Sequence, residues 1–100
     1  YILMTDISRS QAEDFAMTMK TNSNVTLVGT NTLGILSSML GKSIGNFYCT
    51  LSNERLVLQT EEYYEVLGVE PDIRMTVFPR DNIFGGHMQA VSNIAEMIGK

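Results

Sequence analysis

The sequence predicts an α/β fold with a parallel sheet, and three segments carry that reading. The apolar stretch "YILMT" (1–5) is followed by the amphipathic run "SQAEDFAMTMK" (10–20) and then by a second apolar stretch, "VTLVG" (25–29). Strand, helix and strand in that order over about thirty residues is the pattern of a βαβ unit, whose two strands lie parallel.

Each element has a local justification. Residues 1–5 read as a short buried strand. From Ser10 to about Thr21 the spacing i, i+3, i+4, i+7 of Ala12, Phe15, Ala16 and Met19 predicts a helix with one buried face. "TNSN" (21–24) breaks that helix, and Gly29 closes the second strand. "TNTLGILSSMLGKSIG" (30–45), with three glycines, reads as a loop containing a single helical turn. "NFYCTLS" (46–52) alternates, with Phe47, Cys49 and Leu51 on one face and Tyr48 and Thr50 on the other. It is expected to pair across "SNE" with "RLVLQTEEYY" (55–64) as an antiparallel hairpin. Gly68 and Pro71 punctuate the next stretch before a short extended segment. "GGHMQAVSNIAEMIGK" (85–100) reads as a closing helix with Met88, Val91, Ile94, Ala95 and Ile98 on its apolar side.

Composition narrows the function classes. One hundred residues suit one small domain or part of a larger one. Seven Lys and Arg against eleven Asp and Glu give a net charge of −4, with no basic stripe, which argues against nucleic acid as a partner. One cysteine, Cys49, and one histidine, His87, exclude an internal disulfide framework and a Cys/His zinc cluster. No apolar run is long enough to cross a membrane as a helix. The chain opens directly in what reads as a core strand, so it is expected to be a piece of a longer protein. Seven Met read as core filler. "NVT" (24–26) fits a glycosylation sequon, but it falls in an expected buried strand.

Three stretches could carry chemistry, and each has a plain structural reading beside the functional one. Ser10-x-x-Glu13 before an apolar helical run is a capping box, in which serine and glutamate satisfy each other's backbone N–H groups. The same serine at a strand-to-helix turn could instead be a nucleophile, with the N–H of Gln11 facing an incoming carbonyl oxygen. "VGTNTLG" (28–34) is either a turn or a Gly-rich cradle, although it lacks the lysine of a phosphate loop. Glu61, Glu62, Glu65, Glu70 and Asp72 read as a solvated acidic face, and their spacing is not that of a calcium loop.

Taken together, "S-x-A-E" opening a helix, "V-G-x-x-T-x-G" some twenty residues on, and "E-x-x-G-V-E-P-D-I" resemble the tail-specific, or C-terminal processing, serine peptidases. That group includes the tricorn core protease and the modules of the interphotoreceptor retinoid-binding protein. The resemblance covers nearly the whole chain and implies a ClpP/crotonase-like α/β fold. Residues 1–100 would be the C-terminal part of a peptidase catalytic domain. It further implies peptide hydrolysis through an acyl-enzyme, with no cofactor and no metal.

Residue by residue, the resemblance makes Ser10 the nucleophile, the N–H of Gln11 one oxyanion-hole donor, and Glu65 the carboxylate that orients a histidine or a helper serine. Ser8 is out of register. Members that use a Ser–Lys dyad carry lysine just after the T-x-G glycine, where this chain has Ile35, and Lys42 reads as solvated. The departure points to the branch with serine, histidine and a carboxylate. His87 lies outside the family's base position and reads as packing or capping the last helix. The resemblance implies that the base, and the second oxyanion donor in a Gly-rich loop, come from residues before position 1.

The implied partners are a peptide or protein substrate and the N-terminal remainder of the catalytic domain, with homo-oligomerisation compatible. The implied location is extracytoplasmic. A second reading is a non-catalytic ligand- or peptide-binding module on the same fold. A third, an acyl-CoA enzyme of the crotonase type, would leave Ser10 and "G-V-E-P-D-I" without a task.

Overall fold

The computed structural model describes residues 1–54 and 64–99. In chain order the elements are β1 (Ile2–Met4), α1 (Gln11–Lys20), β2 (Leu27–Gly29), β3 (Met39–Ile44), β4 (Phe47–Ser52), β5 (Ile73–Arg74) and α2 (Gly86–Met97). β1, β2 and β5 form a three-stranded sheet in that spatial order, with both pairings parallel. The α/β class and the βαβ unit follow the expectation.

The core explains why β2 is central. Leu27 is fully buried and packs with Met4, Ala16 and Val69, joined by the half-buried Ile2, Met17, Val25 and Tyr64. Burying a side chain of that size contributes about 1.5–3 kcal/mol. β5 is latched to β2 by "P-D-I": the Asp72 N–H donates to the Leu27 carbonyl at 2.9 Å, and the Asp72 carboxylate accepts from the Leu27 N–H at 2.8 Å. That aspartate of the motif is therefore structural.

Three expectations need correction. The buried stripe of α1 is rotated: Glu13 and Ala16 are buried, whereas Ala12 is exposed and Phe15 is half exposed. The rotation follows from Glu13, whose carboxylate must point inward to reach the donors described below. Next, residues 39–44 are strand rather than loop. β3 pairs antiparallel with β4 through Ile44↔Phe47, across a two-residue Gly45–Asn46 turn in which Gly45 takes φ +60°. The pairing expected for residues 55–63, and Glu61 and Glu62 with it, lies outside the described residues.

Finally, α2 buries Gly86 and Ala90 while Met88, Val91 and Ile98 stay exposed. Its first turn sits directly on the backbone at Val77 and on Pro79, where a Cβ on Gly86 would collide. Small residues thus set the contact face. Helical periodicity alone selects the large ones.

Candidate active site

The two readings of Ser10 differ in what they expect of the turn from β1 into α1. An ordinary N-cap residue has β-region dihedrals, and its side-chain oxygen accepts a helix N–H. Ser10 instead has φ +56° and ψ −124°, and its side chain makes no capping hydrogen bond. The Glu13 N–H donates to the Ser10 carbonyl oxygen, at 2.8 Å. The glutamate half of the box is a well-formed hydrogen bond, with the Ser10 N–H donating to Glu13 Oε2 at 2.9 Å. A non-glycine residue held at such a positive φ costs about 1–3 kcal/mol and persists only where its surroundings over-determine it. The strain leaves the Ser10 hydroxyl exposed. The N–H of Gln11, first residue of the helix, has no partner among the described residues.

What holds the strained turn is Glu13. Its side chain is fully buried, and its carboxylate accepts four hydrogen bonds. Oε1 receives the Thr32 hydroxyl at 2.5 Å and the Gly34 N–H at 2.6 Å. Oε2 receives the Ser10 N–H at 2.9 Å and the Ile35 N–H at 3.0 Å. Charge-assisted bonds of this kind are roughly twice as strong as neutral ones. Thr32, also buried, accepts from the Val69 N–H at 2.7 Å and so ties the bracket to the third motif. "S-x-A-E" and "T-x-G" are thus two halves of one bracket. The capping-box reading of Glu13 captured one of its four bonds.

Glu65 lies on the other side of the same loop. The Ser37 hydroxyl donates to Glu65 Oε1 at 2.5 Å, and Ser37 Oγ is 2.8 Å from Ser52 Oγ. Glu65 Oε2 is buried and has no partner among the described residues. The next residue, Val66, takes φ +71°, and with Ser10 it makes up the positive-φ non-glycine residues of the described chain. Gly34 and Ile35 bridge the two: the Gly34 carbonyl accepts from Val66 N–H at 2.8 Å, and the Ile35 carbonyl from Ser10 N–H at 3.0 Å. At Gly34, φ is +80°, and a Cβ there would stand 2.6 Å from the Val66 carbonyl carbon. Neither Ser37 nor Ser52 was singled out by motif, and Thr32 stood in the second motif without an assigned role. The T-x-G spacing was the available signal for Thr32, and no pattern pointed to the two serines.

The other candidates stand apart. Ile35 meets the site through its backbone N–H and carbonyl. The Ser8 hydroxyl is engaged by the Thr5 N–H at 3.1 Å. Lys42 is exposed on β3. His87 is exposed in the first turn of α2, its ring centroid 6.1 Å from that of Phe78. Glu70 pairs with Arg74 on the surface. Among the described residues no group of acidic, Cys and His side chains is arranged to hold a metal, and none donates to or accepts from the Ser10 hydroxyl.

The family model for Peptidase family S41 matches residues 1–75, the span that holds both motif halves and Glu65. The chain belongs to peptidase family S41. Two solved structures share its fold. Mature CPAF superposes with a TM-score of 0.80 at 23% identity, over 96% of this chain and 19% of its own. The tricorn protease superposes with a TM-score of 0.71 at 20% identity, over 99% of this chain and 10% of its own. This S41 chain therefore spans a fifth or less of the length of either. Its fold is the α/β, ClpP/crotonase-like one that the resemblance implied.

Proposed function

We propose that residues 1–100 are the C-terminal part of an S41 serine-peptidase catalytic domain of the C-terminal processing type. Ser10 is the nucleophile, the Gln11 N–H one oxyanion donor, and Glu65 the carboxylate behind a histidine supplied from outside this chain. The observation that carries the reading is the backbone of Ser10. A helix cap gains nothing from a positive φ, whereas a nucleophile gains an exposed hydroxyl next to a free amide. The unpartnered Glu65 Oε2 supports a missing donor on that side, as the N–H of an imidazole would be.

In the reaction the base takes the Ser10 proton as Oγ bonds to the peptide carbonyl carbon. The oxyanion that forms is held by the Gln11 N–H and a second donor. The C–N bond then breaks as the base returns the proton to the leaving amine, leaving an acyl-serine. Water, deprotonated by the same base, hydrolyses that ester and restores Ser10. A carboxylate beside the imidazole fixes its tautomer and stabilises the imidazolium.

The test uses the full-length protein and fluorescein-labelled casein. Ser10→Ala should lower kcat by on the order of 10⁶, and Glu65→Gln by roughly 10⁴, each with folding retained. Activity should rise with pH through an apparent pKa of about 6–7, as a histidine base requires. Residues 1–100 alone should be inactive. Retained hydrolysis by a folded Ser10→Ala variant would make Ser10 only the start of a helix, whereas a folded full-length protein that hydrolyses nothing would favour a binding module.

A further inference from the structure

We infer that Ser52 and Ser37 form a directed hydroxyl relay that positions Glu65. The inference rests on the role of Glu65 proposed above. A hydroxyl has one proton to donate and two lone pairs to accept with, whereas an ionised carboxylate only accepts. At 2.5 Å from Glu65 Oε1, Ser37 has its proton committed to the carboxylate. The 2.8 Å contact between Ser37 Oγ and Ser52 Oγ, symmetric by distance alone, then has one direction. Ser52 donates to Ser37, and Ser37 donates to Glu65. Bonds in such a chain polarise one another, and a short O–H···O⁻ distance is that of a charge-assisted bond.

The consequence is an asymmetric carboxylate. Oε1 is pinned by a hydroxyl, and Oε2 is buried and bare among the described residues. A carboxylate that must receive one N–H from a base in a fixed orientation needs one oxygen held and the other open. Ser37 supplies the first condition and leaves the second intact. Ser52 is placed for its part by the hairpin: it is the last residue of β4, registered opposite Met39, and the Asn53 N–H donates to the Ser38 carbonyl at 3.2 Å. The relay therefore joins the root of the β3–β4 hairpin to Glu65. Ser37 and Ser52 are positioning residues, acting through Glu65 and touching no substrate.

The experiment measures casein hydrolysis by the full-length protein across pH. A hydrogen bond to a charged group contributes about 1.5–3 kcal/mol, so Ser37→Ala should lower kcat about 10- to 150-fold with KM unchanged. The acid limb of the pH profile should move to lower pH, because a carboxylate no longer fixed on the imidazolium stabilises it less. Ser37→Thr, which keeps the hydroxyl, should restore most of the rate. Ser52→Ala should move the limb in the same direction by less, and it decides the matter if Ser37→Ala does not fold. Ser37→Ala combined with Ser52→Ala should match Ser37→Ala alone, and Ser37→Ala in a Glu65→Gln background should add no further loss. A crippled Glu65→Gln beside a folded, fully active Ser37→Ala with an unmoved limb would overturn the relay and leave the proposed function standing. Additive losses in the Glu65→Gln background would also overturn it. An active Glu65→Gln would remove both.

Discussion

Replacing Glu13 with Gln converts one oxygen of a fully buried carboxylate into an amide NH₂ while keeping size and shape. Four donors converge on that carboxylate: the Thr32 hydroxyl and the N–H groups of Gly34, Ser10 and Ile35. If the Gln oxygen stays with Thr32 and Gly34, the NH₂ faces two N–H donors. Ser10 then keeps the Ile35 carbonyl as acceptor, but the Ile35 N–H loses its partner. If the amide flips, the Gly34 N–H is the one stranded. Either way one buried backbone donor is orphaned, at about 1–3 kcal/mol. Against a typical total of about 5–15 kcal/mol the variant should still fold. Its urea midpoint should fall, and kcat on casein should fall by about 5- to 150-fold if the same energy is lost from the Ser10 geometry. The control is Asp14→Asn, on the exposed face of the same helix turn. If Glu13→Gln matched that control in both midpoint and kcat, the bracket would not be what holds the strained serine.

Three further outcomes follow from the same geometry. Ser10→Gly, which adopts φ +56° without penalty, should be more stable than Ser10→Ala by about 1 kcal/mol in urea unfolding. A cap reading alone would put Gly ahead of Ala through the cap, but it would also make Ala about 1 kcal/mol less stable than the parent serine. Here Ser10→Ala should stay near the parent value, since the hydroxyl caps nothing. Gly34→Ala should destabilise by about 1–3 kcal/mol through positive-φ strain alone, with more from the collision at Val66, read as a lowered melting temperature. Ile35→Ala should keep most of the casein activity, whereas Ile35→Pro, lacking the N–H that Glu13 accepts, should not.

The sequence carried the parallel βαβ unit and the family motifs in which Ser10 and Glu65 stand, because apolar periodicity and motif order are local signals. It did not carry the inward face of α1. Periodicity assigns glutamate to the solvent side, and only the four donors gathered around Glu13 make its burial favourable. The β3–β4 hairpin was obscured by Gly41 and Lys42, which weaken a strand pattern. The two-residue "GN" at 45–46 between Ile44 and Phe47 was the signal to follow. Contacts such as Ser37 to Glu65 join residues 28 positions apart and have no sequence pattern at all. The strain at Ser10 is likewise a tertiary product, held by residues 32–35, and the proposed nucleophile role of Ser10 rests on it.

The most direct measurement of the central claim is covalent labelling of the full-length protein by a fluorophosphonate, with the modified peptide identified by mass spectrometry. The probe reacts with an activated serine hydroxyl whatever the substrate preference. The account predicts one adduct on Ser10, none on Ser8, and a labelling rate that falls sharply in Glu65→Gln. An adduct on another residue, or a folded protein that takes up no probe at Ser10, would contradict it.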